Sequence, residues 1–575
     1  MDMATSGPNA ATITVPETLA LFDGPFASVA RGVAEDRYVL WLGSGISFGR
    51  VDGLRQVIAR VLEFLRARTT PGDPACRFGR ALRAALDLAP LTGPENARVD
   101  FAQPFAAWPD HNEIVGRLCN NYARLLDINV EGEPEDYLLW EAVDVRATFA
   151  DSAKPPDVEH LCLAILVLEG ACSDIASANW DGLIEGSIAA LAGGQPALSV
   201  CARPEDLRDP AARGRLVKFH GCAVRATQNE AAYRQFLVAR QSQINGWLMR
   251  PENAALRGRL VDLVATKPTL MIGLSAQDAN IQALFTEAAV QMPWRWPGDR
   301  PSFVFSANEL GGDQQGLLQN VYRQDLTPAN RQQIVDGSRI QAYAKPLLLA
   351  LVLHLLCSKL RTLVDLAEGA IAQADRQPLR DGVVTLRDQL AACVAPDPLA
   401  FVNAFIDQWG QCLNLIRNGS LTHGEGRYQP LTVESVANIP INPNLPASGI
   451  RETAVAAGVL GYGVSRGEWQ IDSPASNVVR DGMFRLNTPS GEAKVFLTSG
   501  PISALRLRQD GHVVDADEPI VIHGQKLVPA MCRSPRSAPG RTGRLGAREV
   551  SIVSLLESST TLDELFQRFR EELAI

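Results

Sequence analysis

The chain has 575 residues, and its 55 Lys and Arg against 64 Asp and Glu give a formal net charge of −9. Hydrophobic residues make up 46% and charged residues 21%, which is globular composition and excludes collagenous, disordered and small disulfide-bonded classes. The acidic balance argues against a surface that is basic overall, as general nucleic-acid binding would need, but it leaves room for a local basic patch. At roughly 150 residues per domain, the length allows about three or four domain-sized units.

The cysteines and the apolar runs indicate the compartment. The ten cysteines are scattered with no C-x-x-C pair, which is typical of reduced, mostly buried thiols and predicts a cytoplasmic protein. The N-terminus has no basic segment followed by an apolar one, so no signal peptide is expected. The longest apolar run, residues 346–357, is shorter than the about 20 residues that cross a membrane. It predicts a buried helix and no membrane partner.

The first half of the chain alternates short apolar runs with helical stretches. After residues 1–20, which we expect to be a flexible lead-in, this alternation predicts an α/β fold over residues 21–325, with a Rossmann-like doubly wound parallel sheet. The predicted strands are Arg37–Leu42, Ser173–Ala178, Arg215–Phe219, Thr269–Gly273 and Ser302–Ser306. Residues 54–68 and 159–169 are predicted helices. Residues 70–155 lack strand-like runs, which predicts a helical insertion that covers the sheet.

The second half has a different texture. Residues 345–375 and 383–418 carry helical periodicity, which predicts a helical region over residues 326–425. Residues 426–575 have the alternation of a partly β module for regulation or partner binding. The strand-like runs of this module are Lys494–Leu497, Ala504–Leu507 and Ile520–His523. Residues 526–548 hold six basic residues and no acidic one, and residues 562–573 have the apolar spacing of an amphipathic helix.

A glycine-rich turn follows the first predicted strand. It consists of Gly43, Ser44, Gly45, Ile46 and Ser47. Glycines allow a tight turn there and let backbone N–H groups approach a phosphate, to which a following helix adds the positive end of its dipole. Because the third glycine of the pattern G-x-G-x-x-G is absent, a plain turn without a ligand is the alternative.

Two further strand ends carry residues suited to catalysis. Asn179 and Asp181 follow the second predicted strand, at the edge where open parallel sheets bind ligands. An Asn side chain both donates and accepts hydrogen bonds, which suits a ribose hydroxyl or a positioned water. His220 follows the next predicted strand and could act as a general base near neutral pH. The alternatives are that Asn179 and Asp181 cap the next helix and that His220 is a buried structural residue.

The last two strand ends are also polar. Gly273, Ser275 and Asp278 belong to a glycine-serine turn before a predicted helix, and Asn308 follows the strand Ser302–Ser306. Each of these turns alone is an ordinary βα loop. Their order along the chain, rather than any single turn, points to a function.

Taken in order, these motifs resemble those of the sirtuin family, and within it the bacterial sirtuin-like proteins of antiphage defence. The family's turn G-[AS]-G-[IV]-S matches residues 43–47, and its strand end T-x-N-[YF]-D is approximated by residues 177–181. Its K-x-H-G segment matches residues 218–221, its G-x-S turn matches residues 273–275, and its strand end with Asn is approximated at Asn308. The series spans a little over half of the chain.

This resemblance implies that the ligand is NAD and assigns roles to the residues. The turn at residues 43–47 would face the pyrophosphate, and Ser275 and Asn308 would lie near the adenosine. Asn179 would hold the nicotinamide ribose or the attacking water, and His220 would be the general base. The implied catalytic residues are His220, Asn179 and Asp181. The implied NAD-binding residues are Gly43, Ser44, Gly45, Ile46, Ser47, Gly273, Ser275, Asp278 and Asn308.

Departures from the family narrow the expected activity. Sirtuin deacylases insert a zinc ribbon with two C-x-x-C pairs, and this chain has no such pair, so we expect no zinc. The segment G-[IV]-P-D-F-R, which serves acyl-lysine chemistry in the family, is also missing. We therefore expect an NAD hydrolase that acts as the NAD-depleting effector of an antiphage, abortive-infection system. The alternatives are an NAD-dependent protein deacylase or ADP-ribosyltransferase, and a non-catalytic module that senses NAD or ADP-ribose.

The resemblance also implies partners. Sirtuin-like defence proteins pair with a HerA-type ATPase or a short Argonaute, or they oligomerise, so we expect such a partner and a homo-oligomer here. Because an enzyme that drains NAD must be restrained, the C-terminal half is expected to regulate it. Residues 526–548 would suit contact with nucleic acid, with a solvated loop as the alternative.

Overall fold

The computed structural model describes residues 9–210, 212–292, 302–420, 427–472, 482–489, 491–511, 513, 519–526 and 548–573. A seven-stranded parallel sheet with helices on both faces forms the N-terminal part. Long helices and a five-stranded sheet form the C-terminal part. The predicted α/β class, with a Rossmann-like doubly wound parallel sheet, is confirmed.

The large sheet places several loops at one edge. Its strands are β1 (Val39–Leu42), β2 (Asp174–Ser177), β3 (Leu198–Cys201), β4 (Gly214–Lys218), β5 (Thr269–Ile272), β6 (Phe303–Ser306) and β7 (Arg339–Ile340). Their order is β3-β4-β2-β1-β5-β6-β7, and every neighbouring pair is parallel. The chain fills one side of β1 as far as β4 and then crosses to β5 on the other side. The loops after β1, β2, β4 and β5 therefore meet beside this switch point, where open α/β sheets bind ligands.

Twenty-four described α-helices surround the two sheets. The first ten are α1 (Val15–Asp23), α2 (Ala27–Ala34), α3 (Leu54–Ala67), α4 (Arg77–Asp87), α5 (Gly93–Ala97), α6 (His111–Leu118), α7 (Tyr122–Leu126), α8 (Val145–Phe149), α9 (Val158–Leu168) and α10 (Leu183–Ala192). The next seven are α11 (Ala223–Gln228), α12 (Glu230–Tyr233), α13 (Gln241–Gly246), α14 (Ala254–Thr266), α15 (Ala279–Gln291), α16 (Gly312–Tyr322) and α17 (Arg331–Gly337). The last seven are α18 (Ala344–Leu366), α19 (Gln377–Ala392), α20 (Pro398–Asn418), α21 (Ile450–Ser465), α22 (Pro501–Gln509), α23 (Ile552–Ser558) and α24 (Leu562–Leu573).

Apolar side chains cover both faces of the large sheet. Leu40 and Leu42 pack in the same core as α1, α2, α9, α10 and α18, and Val39 and Trp41 pack with α14, α15 and α16. Successive residues of a strand point to opposite faces, so β1 must be apolar throughout to be buried on both. This burial explains why the central strands are visible as continuous apolar runs in the sequence.

The helical segment at residues 70–155 has a hydrophobic core of its own. It contains α4 to α8, and side chains such as Leu82 and Leu118 pack there together with residues of α3 and α11. Phe149, at the end of α8, contacts the ring of Trp180 with centroids 5.2 Å apart. The segment therefore covers the loop that follows β2.

The C-terminal sheet is mixed and joins the main core. Its strands are β8 (Gln470–Asp472), β9 (Phe484–Thr488), β10 (Gly491–Thr498), β11 (Ile520–His523) and β12 (Arg548–Ser551), in the order β12-β11-β10-β9-β8. The pairs β8/β9 and β9/β10 are antiparallel, and the other two are parallel. Buried residues of this sheet, with those of α19, α21 and α24, belong to the same hydrophobic cluster as one face of the large sheet.

Local predictions in the C-terminal half meet different outcomes. The strands at residues 494–497 and 520–523 and the amphipathic helix at residues 562–573 are confirmed. The strand at Ala504–Leu507 is wrong, because these residues lie in α22, which begins with Pro501 and is rich in strong helix formers. Of the basic stretch 526–548, residues 527–547 lie outside the described residues.

Two predicted boundaries also need correction. The lead-in at residues 1–20 is wrong for its described part, because α1 begins at Val15 and a capping box between Thr14 and Glu17 fixes its start. The large sheet does not end by residue 325, because the two-residue strand β7 pairs with β6 beyond it. A strand of two residues has too little pattern to be recognised from sequence.

Helix α18 contains the apolar run at residues 346–357. Among the described helices it alone is long and apolar enough to cross a membrane by length and composition, with 23 residues. Its most apolar stretch is 72% buried inside the fold, as a core helix is. The prediction of a buried helix is confirmed, although the helix is about twice as long as the apolar run.

Candidate active site

The two glycine-rich turns predicted after β1 and β5 pack against each other. A Cβ on Gly43 would lie 2.2 Å from the carbonyl oxygen of Gly273, so only glycine fits at residue 43. The backbone N–H of Gly45 donates to this same oxygen at 3.1 Å, and Gly273 itself adopts a φ of +64° that favours glycine. These glycines are therefore required by backbone contact between neighbouring loops at the carboxyl edge of the sheet.

Asn179 joins the loop after β2 to the first glycine turn. Its side-chain Nδ2 donates to the carbonyl oxygen of Gly43 at 3.0 Å, and its backbone N–H donates to Ser177 Oγ at 3.1 Å. Ser177 Oγ in turn donates to the carbonyl oxygen of Leu42. The amide of Asn179 is thus held at the switch point, and its Oδ1 is the acceptor that the described protein groups leave to a ligand or a water.

His220 lies beside Asp278, which the resemblance to sirtuins predicts to bind NAD. His220 Nε2 is 3.1 Å from Asp278 Oδ2, although the two groups are not aligned as a hydrogen bond. Asp278 also caps α15, because its Oδ1 accepts the backbone N–H of Asn280 at 2.8 Å. Burial lowers the pKa of His220, against the opposing effect of the Asp278 charge. A neutral imidazole next to a carboxylate is able to take up a proton.

Aromatic rings and a tight turn hold His220 in place. Trp180 Nε1 donates to the carbonyl oxygen of His220 at 2.9 Å, and the ring of Phe219 stands edge-on to the imidazole at 4.6 Å. Gly221 follows with a φ of +91°, which turns the chain directly after the histidine. His220 is only 7% exposed, so the surrounding residues shield it from bulk water.

A chain of buried hydrogen bonds links Ser47 to Asp181 and His160. Ser47 Oγ donates to Asp181 Oδ2 at 3.0 Å and lies 3.2 Å from His160 Nε2. The backbone N–H of Asp157 donates to His160 Nδ1 at 3.1 Å. Asp181 also caps α10, because its Oδ1 accepts the backbone N–H of Leu183. Asp181 therefore both caps the helix, as the alternative predicted, and contacts the glycine turn.

Lys218 ties the strand that leads to His220 to the loop that contains Asp181. Its side chain is 1% exposed, and Nζ donates to the carbonyl oxygen of Asp181 and to Glu185 Oε1. Although burial opposes the charge, Glu185, Asp181 and Cys222 together keep Lys218 protonated, with a pKa above its usual value. The segment K-x-H-G therefore combines a buried cation, which joins a strand to a loop, with a histidine at the carboxyl edge of the sheet.

The two residues expected near the adenosine, Ser275 and Asn308, have fewer contacts with the rest of the candidate site. Ser275 lies in the exposed part of the turn after β5. Asn308 follows β6 at the same edge of the sheet, but its Oδ1 accepts the backbone N–H of Ala10 at 3.0 Å. The N-terminal segment thus occupies one polar group that the resemblance assigns to NAD.

His160 is the site residue that the sequence reasoning missed. It lies in the first turn of α9, where the sequence shows an apolar helix with Glu159 and His160 near its start. Asp157 caps that helix and forms a capping box with His160 three residues later. This spacing was the available signal, but it predicts a helix start and not a contact with Ser47.

Metal and disulfide chemistry have no described candidates. Among the residues that the structure describes, no group of three or more His, Cys, Asp and Glu side chains could hold a metal ion. The nine cysteines in these ranges are free thiols, and five of them are buried. Burial raises the pKa of Cys162 and Cys172 well above the usual value. Among the described residues, the candidate site therefore consists of polar side chains and backbone turns.

Comparison with known families matches one part of this chain. Residues 173–322 match the model of the SIR2-like domain family. The chain contains a SIR2-like domain. The matched range includes Asn179, His220 and Asp278 and begins after the first glycine turn. SIR2-like domains use NAD, so the function of this domain is related to NAD. No curated protein matches the chain.

Proposed function

We propose that the chain is an NAD+ hydrolase that releases nicotinamide and ADP-ribose. The observation that supports this best is the buried His220 beside the half-buried Asp278 at the carboxyl edge of a SIR2-like domain, next to the loop with Asn179. Asn179 Oδ1 suits a dinucleotide, because an amide oxygen can accept a hydrogen bond from a ribose hydroxyl. In the first glycine turn, the backbone N–H groups of Gly43, Gly45 and Ile46 already donate to carbonyl oxygens of the protein.

The proposed reaction breaks the bond between the nicotinamide nitrogen and the ribose carbon. The bonding electrons leave with nicotinamide, and the ribose passes through an oxocarbenium-like state that oriented polar groups stabilise. A water molecule held by Asn179 Oδ1 adds to the ribose carbon and gives its proton to His220, whose lowered pKa keeps it neutral beforehand. NAD+ and water thus yield nicotinamide, ADP-ribose and a proton.

Asp278 would support His220 in this step. An imidazolium that forms 3.1 Å from a carboxylate is stabilised by that charge. Asp278→Asn keeps the cap of α15, because Asn caps helices well, but it removes the charge. We expect it to lower kcat while the domain stays folded.

The cellular role that we propose is NAD depletion during phage infection, in the cytoplasm. The C-terminal half would restrain the activity by binding a partner, a HerA-type ATPase or a short Argonaute, or by assembling into a homo-oligomer. Contact with nucleic acid through residues 526–548 belongs to the same proposal. Its support is the sequence resemblance together with the basic composition of that stretch.

The experiment measures nicotinamide and ADP-ribose released from NAD+ by the purified chain, alone and with single-stranded DNA or RNA oligonucleotides. His220→Ala and Asn179→Ala should each reduce release by about a hundredfold or more, as removal of a general base or a positioned water does. His111→Gln is the control, because His111 is a histidine of the helical insertion outside the site.

Other outcomes would replace the proposal. If NAD is consumed only together with an acylated peptide, in equal amounts, the chain is a deacylase. Transfer of ADP-ribose to a protein would make it a transferase, and tight NAD binding without turnover under every condition would make it a sensor. Full activity of His220→Ala would refute the assignment of the base.

A further inference from the structure

Two lysines of α18 fasten that helix to both ends of α9. Lys345 Nζ donates to Asp157 Oδ2 at 3.0 Å at one end, and Lys359 Nζ donates to Glu169 Oε2 at 2.7 Å at the other. At a rise of 1.5 Å per residue, Lys345 and Lys359 are about 21 Å apart along α18, and Asp157 and Glu169 are about 18 Å apart along α9. The two helices therefore run side by side in the same direction and are joined near both ends.

Asp157 is the point where this unit reaches the site. Its Oδ2 accepts hydrogen bonds from Lys345 and from Arg50 Nε, and Arg50 belongs to the loop directly after the first glycine turn. Its Oδ1 accepts the backbone N–H of Val158. Although burial opposes ionisation, the bonds from Arg50 and Lys345 lower the pKa of Asp157 to about 2. A carboxylate that is 8% exposed is thus held by two cations from different parts of the chain.

Asp157 in turn orients His160. His160 Nδ1 accepts the backbone N–H of Asp157, so in the neutral imidazole the proton sits on Nε2. That N–H faces Ser47 Oγ, which leaves the Ser47 hydroxyl proton for Asp181 Oδ2. The hydrogen bonds from Asp157 to His160, from His160 to Ser47 and from Ser47 to Asp181 thus form one series. This series ends on the loop that contains Asn179.

We propose that Lys345 is a positioning residue of the NAD cleft, through which the C-terminal half of the chain acts on the SIR2-like domain. Its ammonium fixes Asp157, and Asp157 fixes the tautomer and place of His160. His160 then sets the hydrogen bond between Ser47 and Asp181. The inference rests on the proposed hydrolysis, because it assigns Lys345 an effect on that reaction.

The far end of the same helix pair receives the C-terminal segment. Glu169 Oε1 accepts the hydroxyl of Tyr428 at 2.6 Å and the backbone N–H of Leu431 at 2.9 Å, while Lys359 also donates to the carbonyl oxygen of Thr432. A shift of the segment at residues 428–432 would therefore move α18 and α9 together. Lys345 is the contact at which such a shift reaches the catalytic loops.

The experiment compares Lys345→Met and Lys345→Arg with the full-length wild type. We expect Lys345→Met to lower kcat by about two- to fivefold with little change in KM for NAD, because a partly exposed ion pair is lost and no substrate contact is removed. Lys345→Arg should restore kcat because it keeps a cation near Asp157. Adding Arg50→Gln to Lys345→Met should lower kcat more than the two single losses combined, because it leaves Asp157 without a cation.

The matched control is Lys267→Met. Lys267 forms a similar partly exposed pair with Asp174, 2.9 Å apart, but that pair lies at the opposite edge of the sheet, where β2 begins. Its kcat should equal that of the wild type. If Lys345→Met and Lys267→Met have the same kcat as the wild type, or if Lys345→Arg is as slow as Lys345→Met, Lys345 has no positioning role.

A second measurement separates this inference from the proposed function. Hydrogen exchange followed by mass spectrometry should show faster amide exchange at residues 157–161 and 179–183 in Lys345→Met, and no change there in Lys267→Met. This result would support the link from Lys345 to the loop even if the wild type released no nicotinamide, in which case only the proposed hydrolysis would fall. Unchanged exchange in both segments would overturn the link whatever the activity.

Discussion

The buried pair of Lys359 and Glu169 gives a direct test of how α18 is held in the fold. Both side chains have 0% exposure, and Lys359 Nζ also donates to two carbonyl oxygens, those of Glu169 and Thr432. Replacing Lys359 by Met keeps an unbranched side chain of similar size but leaves the Glu169 carboxylate without its cation. Because a buried charge without a partner is costly, we expect Lys359→Met to lower the free energy of unfolding by about 3–5 kcal/mol.

The assay is urea denaturation followed by circular dichroism, with the midpoint compared at constant m-value. Lys267→Met is again the control, since its pair with Asp174 is partly exposed and should be worth about 1 kcal/mol or less. The double variant Lys359→Met with Glu169→Gln should recover part of the loss, because it removes the buried charge. A loss for Lys359→Met no larger than that for Lys267→Met would refute the reasoning that the buried charge dominates.

Two further predictions concern the glycine turn and acid stability. Gly43→Ala should abolish NAD turnover, because its Cβ would meet the carbonyl oxygen of Gly273, whereas Gly186→Ala, in the open interior of α10, should leave turnover intact and the melting temperature equal or higher. Burial lowers the pKa of His354 to about 4, below the usual value of about 6.5, so the unfolded chain binds that proton more readily and stability falls as the pH drops from 6.5 to 4. His354→Gln should remove at most about 3 kcal/mol of this acid-induced loss, measured by urea denaturation at both pH values, and an unchanged pH dependence would contradict the assignment.

The sequence predicted the central strands, whose ends carry the candidate site residues, because the physics there is local. A strand buried on both faces must be apolar throughout, and a glycine or polar residue must end it, so β1, β2, β4, β5 and β6 are visible as runs with characteristic ends. The parallel order of such strands then brings Asn179, His220 and Asp278 to one edge. The family match at residues 173–322 covers β2, β4, β5 and β6 of this series.

Other features have no local signature. Strand β3 is half exposed and β7 has two residues, so neither forms an apolar run. The pattern at Ala504–Leu507 is too short to distinguish a strand from a helix. Helix propensity and packing determine that these residues form part of α22. The role of Asn308 also depends on a distant segment, because the backbone N–H of Ala10 reaches it across 298 residues of sequence.

The sequence by itself therefore determined the fold class of the first half, the polar ends of its strands and the relation to NAD. Tertiary structure alone decided that His160 lies against Ser47, that Asp278 lies beside His220 and that Lys345 holds Asp157 from 188 residues away. The physical reason is that a buried strand or a tight turn requires particular residue types at neighbouring positions, so the local sequence shows it. A hydrogen bond or an ion pair between distant segments depends on how helices and strands pack, and no local pattern records that.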